Sequence, residues 1–265
     1  MSAEVTDSKA HVAARIIWQA WVDGRQIDTL PPACRPQDLT AGYAAQAALC
    51  DISGERVVGR KIAATSKAGQ KHIGVDGPQQ GLLFERFFLT EGASVPNHGL
   101  FMSCAEPEFA FRIGEALPGK AGGYTPDHVA DAAAALHLAI EVPDTRLVDW
   151  ASAGPAQLLA DNACACYFVL GPEVDDWRGH DLAAVAVRGI VNGVVLEEGQ
   201  GAAALGGPLT ALAWLANDAA ARGQPLQPGE VITTGTCTVP VPIAPGDTVV
   251  AEFVGLGRAT ATIAR

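Results

Sequence analysis

None of the six cysteines, Cys34, Cys50, Cys104, Cys164, Cys166 and Cys237, stands in a CxxC pair, which removes the usual zinc-knuckle and dithiol redox patterns. The amino terminus, MSAEVTDSK, is polar and acidic, unlike a secretory leader, so the expected location is the cytoplasm and the thiols read as reduced and mostly buried. No serine lies in a GxSxG elbow, which argues against acyl-enzyme chemistry. His72, His98, His128, His137 and His180 are scattered, with no metal spacing. No apolar run approaches the roughly 20 residues a membrane span needs. Positive charge is scarce: 18 Lys and Arg face 29 Asp and Glu, a net charge of −11. That balance argues against nucleic acid and anionic membranes as partners. An anionic substrate would need a bound cation to reverse the local field.

What is present is an ordinary globular composition, 49% hydrophobic and 18% charged over 265 residues, enough for a sizeable core. Apolar spacing predicts a helix from Ser8 to Val22, with Val12, Ile16, Trp18 and Trp21 in its stripe. A second helix, Asp38 to Asp51, follows the Pro31-Pro32 break, so residues 1–54 read as a helical region. After Gly54 the texture changes to short β-branched runs. A strand over 56–65 precedes a short helix stopping at Gly74 and a turn over 75–81. Helices are expected over 126–138, 156–168 and 208–223, and a hairpin at Asn192-Gly193. Strands over 231–239, 248–255 and 259–264 close the chain. The fold class is α+β: a mainly β roll or barrel over 55–265, not a doubly wound sheet.

Three carboxylates stand in otherwise apolar sequence, Glu106 and Glu108 in CAEPEFAFRIG and Glu141 in LHLAIEVPDTR. In a strand, Cys104, Glu106, Glu108, Ala110 and Arg112 share one face, opposite Phe109, Phe111 and Ile113. Two glutamates there sit about 7 Å apart and repel by about 2 kcal/mol at an effective dielectric of about 20. A cation between them relieves that repulsion, and an all-carboxylate site favours Mg²⁺ or Mn²⁺ over zinc. The alternative is a solvated edge strand, which the apolar flanks suit poorly. Lys61, inside VVGRKIAAT, either snorkels outward or lies beside a counter-charge, where it suits proton transfer near an enolate. With Arg60 adjacent, one of the two is expected to point away. Gly199 to Ala204 matches GxGxxA, but Glu197, Glu198 and a delayed helix count against a pyrophosphate there; close backbone packing is the better reading. Asp161-Asn162 can serve as a cap or as a polar pocket contact.

These segments resemble the 2-hydroxypenta-2,4-dienoate (2-keto-4-pentenoate) hydratases and 4-oxalocrotonate decarboxylases of the fumarylacetoacetate hydrolase superfamily. The likeness runs through GRKIAATSKAGQKHIGVDGPQQGLLF, AEPEFAFRIG, AIEVPDTRLVDW, LLADNA, NGVVLEEGQGAAALGGPLTALAWLAN and GEVITTGTCTVPVPIAPGDTV. It implies a twisted β roll with an amino-terminal helical part, assembled as a homo-oligomer. It implies Glu106, Glu108 and Glu141 as metal ligands and Lys61 as the catalytic lysine. The implied activity is hydration of a 2-hydroxy-2,4-dienoate, the small-molecule partner, to a 4-hydroxy-2-oxo acid. Gln79 departs from the pattern, since the hydratases carry an aspartate after the turn proline. An amide positions water but is no base, which keeps decarboxylation of a 2-oxo-3-enedioate as the alternative. Acylpyruvate hydrolysis is a more distant one, because no His–Glu pair is evident. Asn162 and Thr236 are then candidates for the substrate carboxylate, and Leu83, Phe84 and Trp150 for the distal pocket.

Overall fold

The structure, a computed structural model, describes residues 7–265; the first six residues of the polar amino terminus lie outside it. Helix α1 (Lys9–Asp23) opens on Ser8, whose hydroxyl accepts from His11 N, and closes on left-handed Gly24. Its buried stripe is Ala13, Ala14, Ile17 and Ala20, one position round from the expected stripe, and Val12 stays exposed. Small side chains win that face because α2 (Leu39–Ser53) packs against it through Ala45, Ala48 and Leu49. Both helices share an apolar cluster with Phe84, Leu147 and Ala160.

The chain then alternates: β1 (Val57–Ala63), α3 (Lys67–Ile73), β2 (Gln79–Phe84), β3 (Phe88–Thr90), β4 (Ser94–Val95), β5 (Cys104–Ile113), α4 (Pro126–Ala132) and β6 (Ala133–Val142). It continues with α5 (Pro155–Ala160), β7 (Tyr167–Glu173), β8 (Ala186–Val191), β9 (Val194–Gln200), α6 (Pro208–Ala221), β10 (Val231–Thr236), β11 (Val241–Pro242), β12 (Thr248–Phe253) and β13 (Gly257–Ile263). The larger sheet runs β2-β1-β10-β5-β6-β7-β3, with β11 added to β5; the smaller runs β4-β13-β12-β8-β9. The two pack face to face. Phe109, Phe111 and Ile113 of β5 enter the main core with Val249, Ala251 and Phe253 of β12, and the Phe109 and Phe253 rings lie 4.7 Å apart. Alternation therefore turns Glu106 and Glu108 to the opposite face of the larger sheet.

Two expected helices are shorter than their sequence suggests. The helix from Pro126 ends at Ala132, because Ala133 onward pairs with β5 in antiparallel register. Alanine's helix propensity loses there to a ladder buried on both faces. The helix expected over 156–168 ends at Ala160; Asn162, Ala163 and Cys164 all take positive φ (54°, 52° and 59°), and a strand follows from Tyr167. Gly199 and Gly201 answer to close packing, since an added Cβ would fall 2.1 Å from the Cys237 carbonyl oxygen and 1.9 Å from that of Leu182. Among the described residues, no helix is long and apolar enough to cross a membrane.

Candidate active site

Four neighbouring strands deliver the polar groups. In register, Glu106 of β5 faces Glu141 of β6, Thr236 of β10 faces Glu108, and Lys61 of β1 faces both Thr233 and Gly81. One carboxylate oxygen from each of Glu106, Glu108 and Glu141 falls within 4.8 Å of the others. Glu108 and Glu141 are buried, and Glu106 is half-buried. Glu108 Oε2 accepts from the Thr233 hydroxyl and, at 2.8 Å, from Gly235 N. Gly235 has φ 99°, and a Cβ there would strike the Thr65 side chain at 2.5 Å, so this cradle needs glycine.

Lys61 is buried, and its Nζ lies 3.0 Å from Glu141 Oε1. It has room because Gly81 faces it: a Cβ at Gly81 would come within 2.9 Å of Lys61 Cγ and 2.6 Å of the Asn162 carbonyl oxygen. Arg60 does not escape to solvent either. It is buried on the other face, with Glu230 at 3.3 Å and Gln80 at 3.4 Å, so both alternatives for Lys61 and Arg60 end in a counter-charge.

Electrostatics follow from this crowding. Burial, then Glu141, pushes the Glu106 carboxyl up to about 7, while Lys61 opposes the rise. Burial and the two neighbouring glutamates hold Glu108 well above the ordinary carboxylate range. Burial alone would lower Lys61, but Glu141 and Glu106 outweigh it and raise the ammonium above its usual value. Three acidic side chains against one lysine leave the pocket short of positive charge. Among the described residues, Glu108 Oε1 and Glu141 Oε2 are buried without a hydrogen-bond partner. Free oxygens, an all-oxygen donor set and uncompensated charge together fit a hard divalent cation.

At Glu106 opens a cavity of about 420 Å³, with Lys61, Gln79, Thr236, Cys164 and Trp150 also in its wall. Gln79 Nε2 donates to the Pro155 carbonyl at 3.2 Å, which orients the amide and leaves its buried Oε1 without a partner. Thr236 Oγ1 donates to the Thr238 carbonyl at 3.0 Å. The other expected substrate contacts sit elsewhere. Asn162 Oδ1 accepts from Leu82 N and its Nδ2 donates to Leu82 O, both at 2.8 Å, so the amide is consumed in holding β2. Leu83 lies in an apolar floor with Ala110, Ala139 and Phe168, and Phe84 belongs to the helical cluster; neither reaches the cavity. Of the distal trio, Trp150 alone lines it. Sequence reasoning missed Thr233, Gly235 and Met102. The repeated threonines of VITTGT were the one available signal for the first two. Met102 is placed by Asp144, whose Oδ1 accepts from Phe101 N and Met102 N at 2.8 Å each, a contact across 42 residues of chain that no local pattern carries.

The family profile described as fumarylacetoacetate hydrolase, C-terminal, matches residues 82–264. The chain belongs to the fumarylacetoacetate hydrolase family. Within it, the chain is 39% identical to a 2-keto-4-pentenoate hydratase of Burkholderia vietnamiensis over 97% of both chains. It is 37% identical to a 2-hydroxyhexa-2,4-dienoate hydratase of Comamonas testosteroni over 79% of both. Among solved structures, a 4-oxalocrotonate decarboxylase from Pseudomonas putida G7, complexed with magnesium and adipate, superposes with a TM-score of 0.89 at 29% identity, covering 98% of both chains. The expected α+β roll with amino-terminal helices is therefore the fold of this family, and its carboxylate-bearing β5 and β6 fall inside the matched segment.

Proposed function

We propose that this chain is a divalent-metal-dependent lyase that adds water to a 2-hydroxy-2,4-dienoate and releases a 4-hydroxy-2-oxo acid. The observation that carries the reading is the trio Glu106, Glu108 and Glu141, gathered within 4.8 Å of one another, with Glu106 lining a cavity that Lys61 also lines. The hydratase relatives, at up to 39% identity along nearly the whole chain, support the direction of the chemistry. Glu106, Glu108 and Glu141 would hold Mg²⁺ or Mn²⁺, which supplies the positive charge that draws in and polarises a 2-oxo acid.

The chain's own residues do the rest. Lys61, kept as an ammonium by its carboxylate neighbours, donates a proton to C5 and recovers one from the 2-hydroxyl, whose oxygen becomes the 2-oxo group. The product of that exchange is the 2-oxo-3-ene acid. Gln79, with Oε1 free and Nε2 anchored, accepts a hydrogen bond from the incoming water and aims its oxygen at C4. As the water oxygen bonds to C4, Lys61 gives a proton to C3 and is restored by the proton the water releases. Hydroxyl therefore ends on C4 and hydrogen on C3, and one water is added with no oxidant or reductant. The amide positions water and takes no proton; the lysine is the titrating partner.

Stripping metal with EDTA should abolish consumption of 2-hydroxypenta-2,4-dienoate, and Mg²⁺ or Mn²⁺ should restore it. Full turnover by stripped protein would overturn the reading. In the same assay Gln79→Leu should cut kcat about 10-fold or more. We also infer a homo-oligomer, supported by the exposed side chains of Val194, Val195 and Leu196 on edge strand β9. A single-chain mass in light scattering would contradict it.

A further inference from the structure

Beyond the carboxylates the cavity changes character. Its remaining wall is mostly apolar, with Ile73, Met102, Pro143, Trp150, Leu158 and Val239, although Thr65, Ser66 and Thr238 also line it. Among the described residues, Lys61 is the one lysine in the wall and no arginine lines it, and that lysine is held by Glu141 at 3.0 Å. The other basic side chain is His72, exposed, with its ring edge-on to Trp150 at a centroid distance of 5.3 Å. Lys67, on the neighbouring helix α3, turns its ammonium to Gln70 Oε1 at 3.1 Å and does not line the cavity.

A ligand bound by its 2-oxo acid head at the Glu106–Lys61 end must lay its other end along this apolar wall. A second carboxylate there would lose water and meet no lysine or arginine, with the exposed His72 imidazole as the one basic group at hand, whereas a methyl, longer alkyl or phenyl group would replace water against carbon. We propose that the site selects 2-hydroxy-2,4-dienoates whose far end is uncharged and apolar, and rejects dienedioates, with Trp150 and Met102 as specificity-determining residues. The inference rests on the hydratase reading for the seating of the head group. It separates this chain from a diacid-specific site on the same fold, although a neighbour in the family binds adipate.

The test uses Mg²⁺-loaded protein and two unreactive ligands of equal chain length that differ only at the far end, 2-oxohexanoate (methyl) and 2-oxoadipate (carboxylate), titrated by calorimetry. The methyl ligand should bind at least tenfold more tightly. Trp150→Arg, and independently Met102→Lys, should each shrink or invert that ratio by tenfold, with circular dichroism reporting that each variant is folded. Equal or tighter binding of 2-oxoadipate by the wild-type protein would overturn the inference, as would an unchanged ratio in both folded variants. Turnover is scored separately on 2-hydroxyhexa-2,4-dienoate and on the corresponding dienedioate. Hydration of neither acid, with the methyl ligand still preferred in binding, would overturn the hydratase reading and leave the selectivity standing. Release of CO₂ from the dienedioate, with the diacid preferred, would overturn both.

Discussion

At the scale of single residues, Glu108 is the ligand whose role separates most cleanly from structure. Its Oε2 is held by Thr233 and Gly235, while Oε1 has no partner. Glu108→Gln keeps the volume and one acceptor and removes the charge. Mg²⁺ affinity measured by calorimetry should fall at least about 100-fold, corresponding to about 3 kcal/mol. The melting temperature of the metal-free variant should equal or exceed that of the metal-free parent, since a buried acidic group lacking its counter-ion has gone. A lower metal-free melting temperature with unchanged Mg²⁺ affinity would mean Glu108 is a structural anchor. The three glutamates and Lys61 could be singled out in sequence because a charge inside an apolar strand needs a partner somewhere. Leu83 and Asn162 could not be placed, because facing a pocket and bracing its wall leave the same one-dimensional trace.

At the scale of elements, the turn Asn162–Cys164 joins α5 to β7 with three successive positive φ values, and Ala163 and Cys164 line the cavity. A backbone so disfavoured for residues with a Cβ persists only where its surroundings hold it. The hold is the double hydrogen bond from Asn162 to the Leu82 backbone. Asn162→Ala should therefore cost about 2–4 kcal/mol in urea unfolding, by losing two part-buried hydrogen bonds and leaving Leu82 N and O without these partners. It should also weaken binding of any 2-oxo acid, because β2 carries Gln79 into the cavity wall and sets Gly81 against Lys61. A variant as stable as the parent would show that the turn is not under tension. This region was illegible beforehand for a physical reason: LLADNACACYF has the composition of a buried helix, and only contact with β2 makes Asn162 a brace. Likewise the alanine run before Glu141 reads as helix until β5 supplies its ladder. The Asn192-Gly193 hairpin and the helix starting at Pro208 were legible because their signals are local.

At the scale of the whole molecule, the helical region and the roll meet over buried charge. Arg146 is fully buried, ion-paired with Asp144 and stacked 3.9 Å from the Trp21 ring of α1. Next to it, Asp161 accepts from the Thr145 hydroxyl and, at 2.7 Å, from Arg146 N. Burial outweighs these bonds and raises the Asp161 carboxyl from 3.8 to about 6. A carboxyl with a raised folded value keeps its proton longer in the folded state than in the unfolded one. Its contribution thus favours folding at low pH, fades as pH climbs from about 3.8 to about 6, and is constant above. Asp161→Asn cannot titrate, so the stability of the variant relative to the parent should rise across that window by on the order of 3 kcal/mol and then level off. Urea midpoints of both proteins between pH 3.5 and 7.5, at fixed Mg²⁺, measure the difference while cancelling every other carboxylate. A difference that stays flat with pH would mean Asp161 is ionised throughout, with Arg146 rather than burial governing its charge; a difference that falls with pH would reverse the sign of the effect.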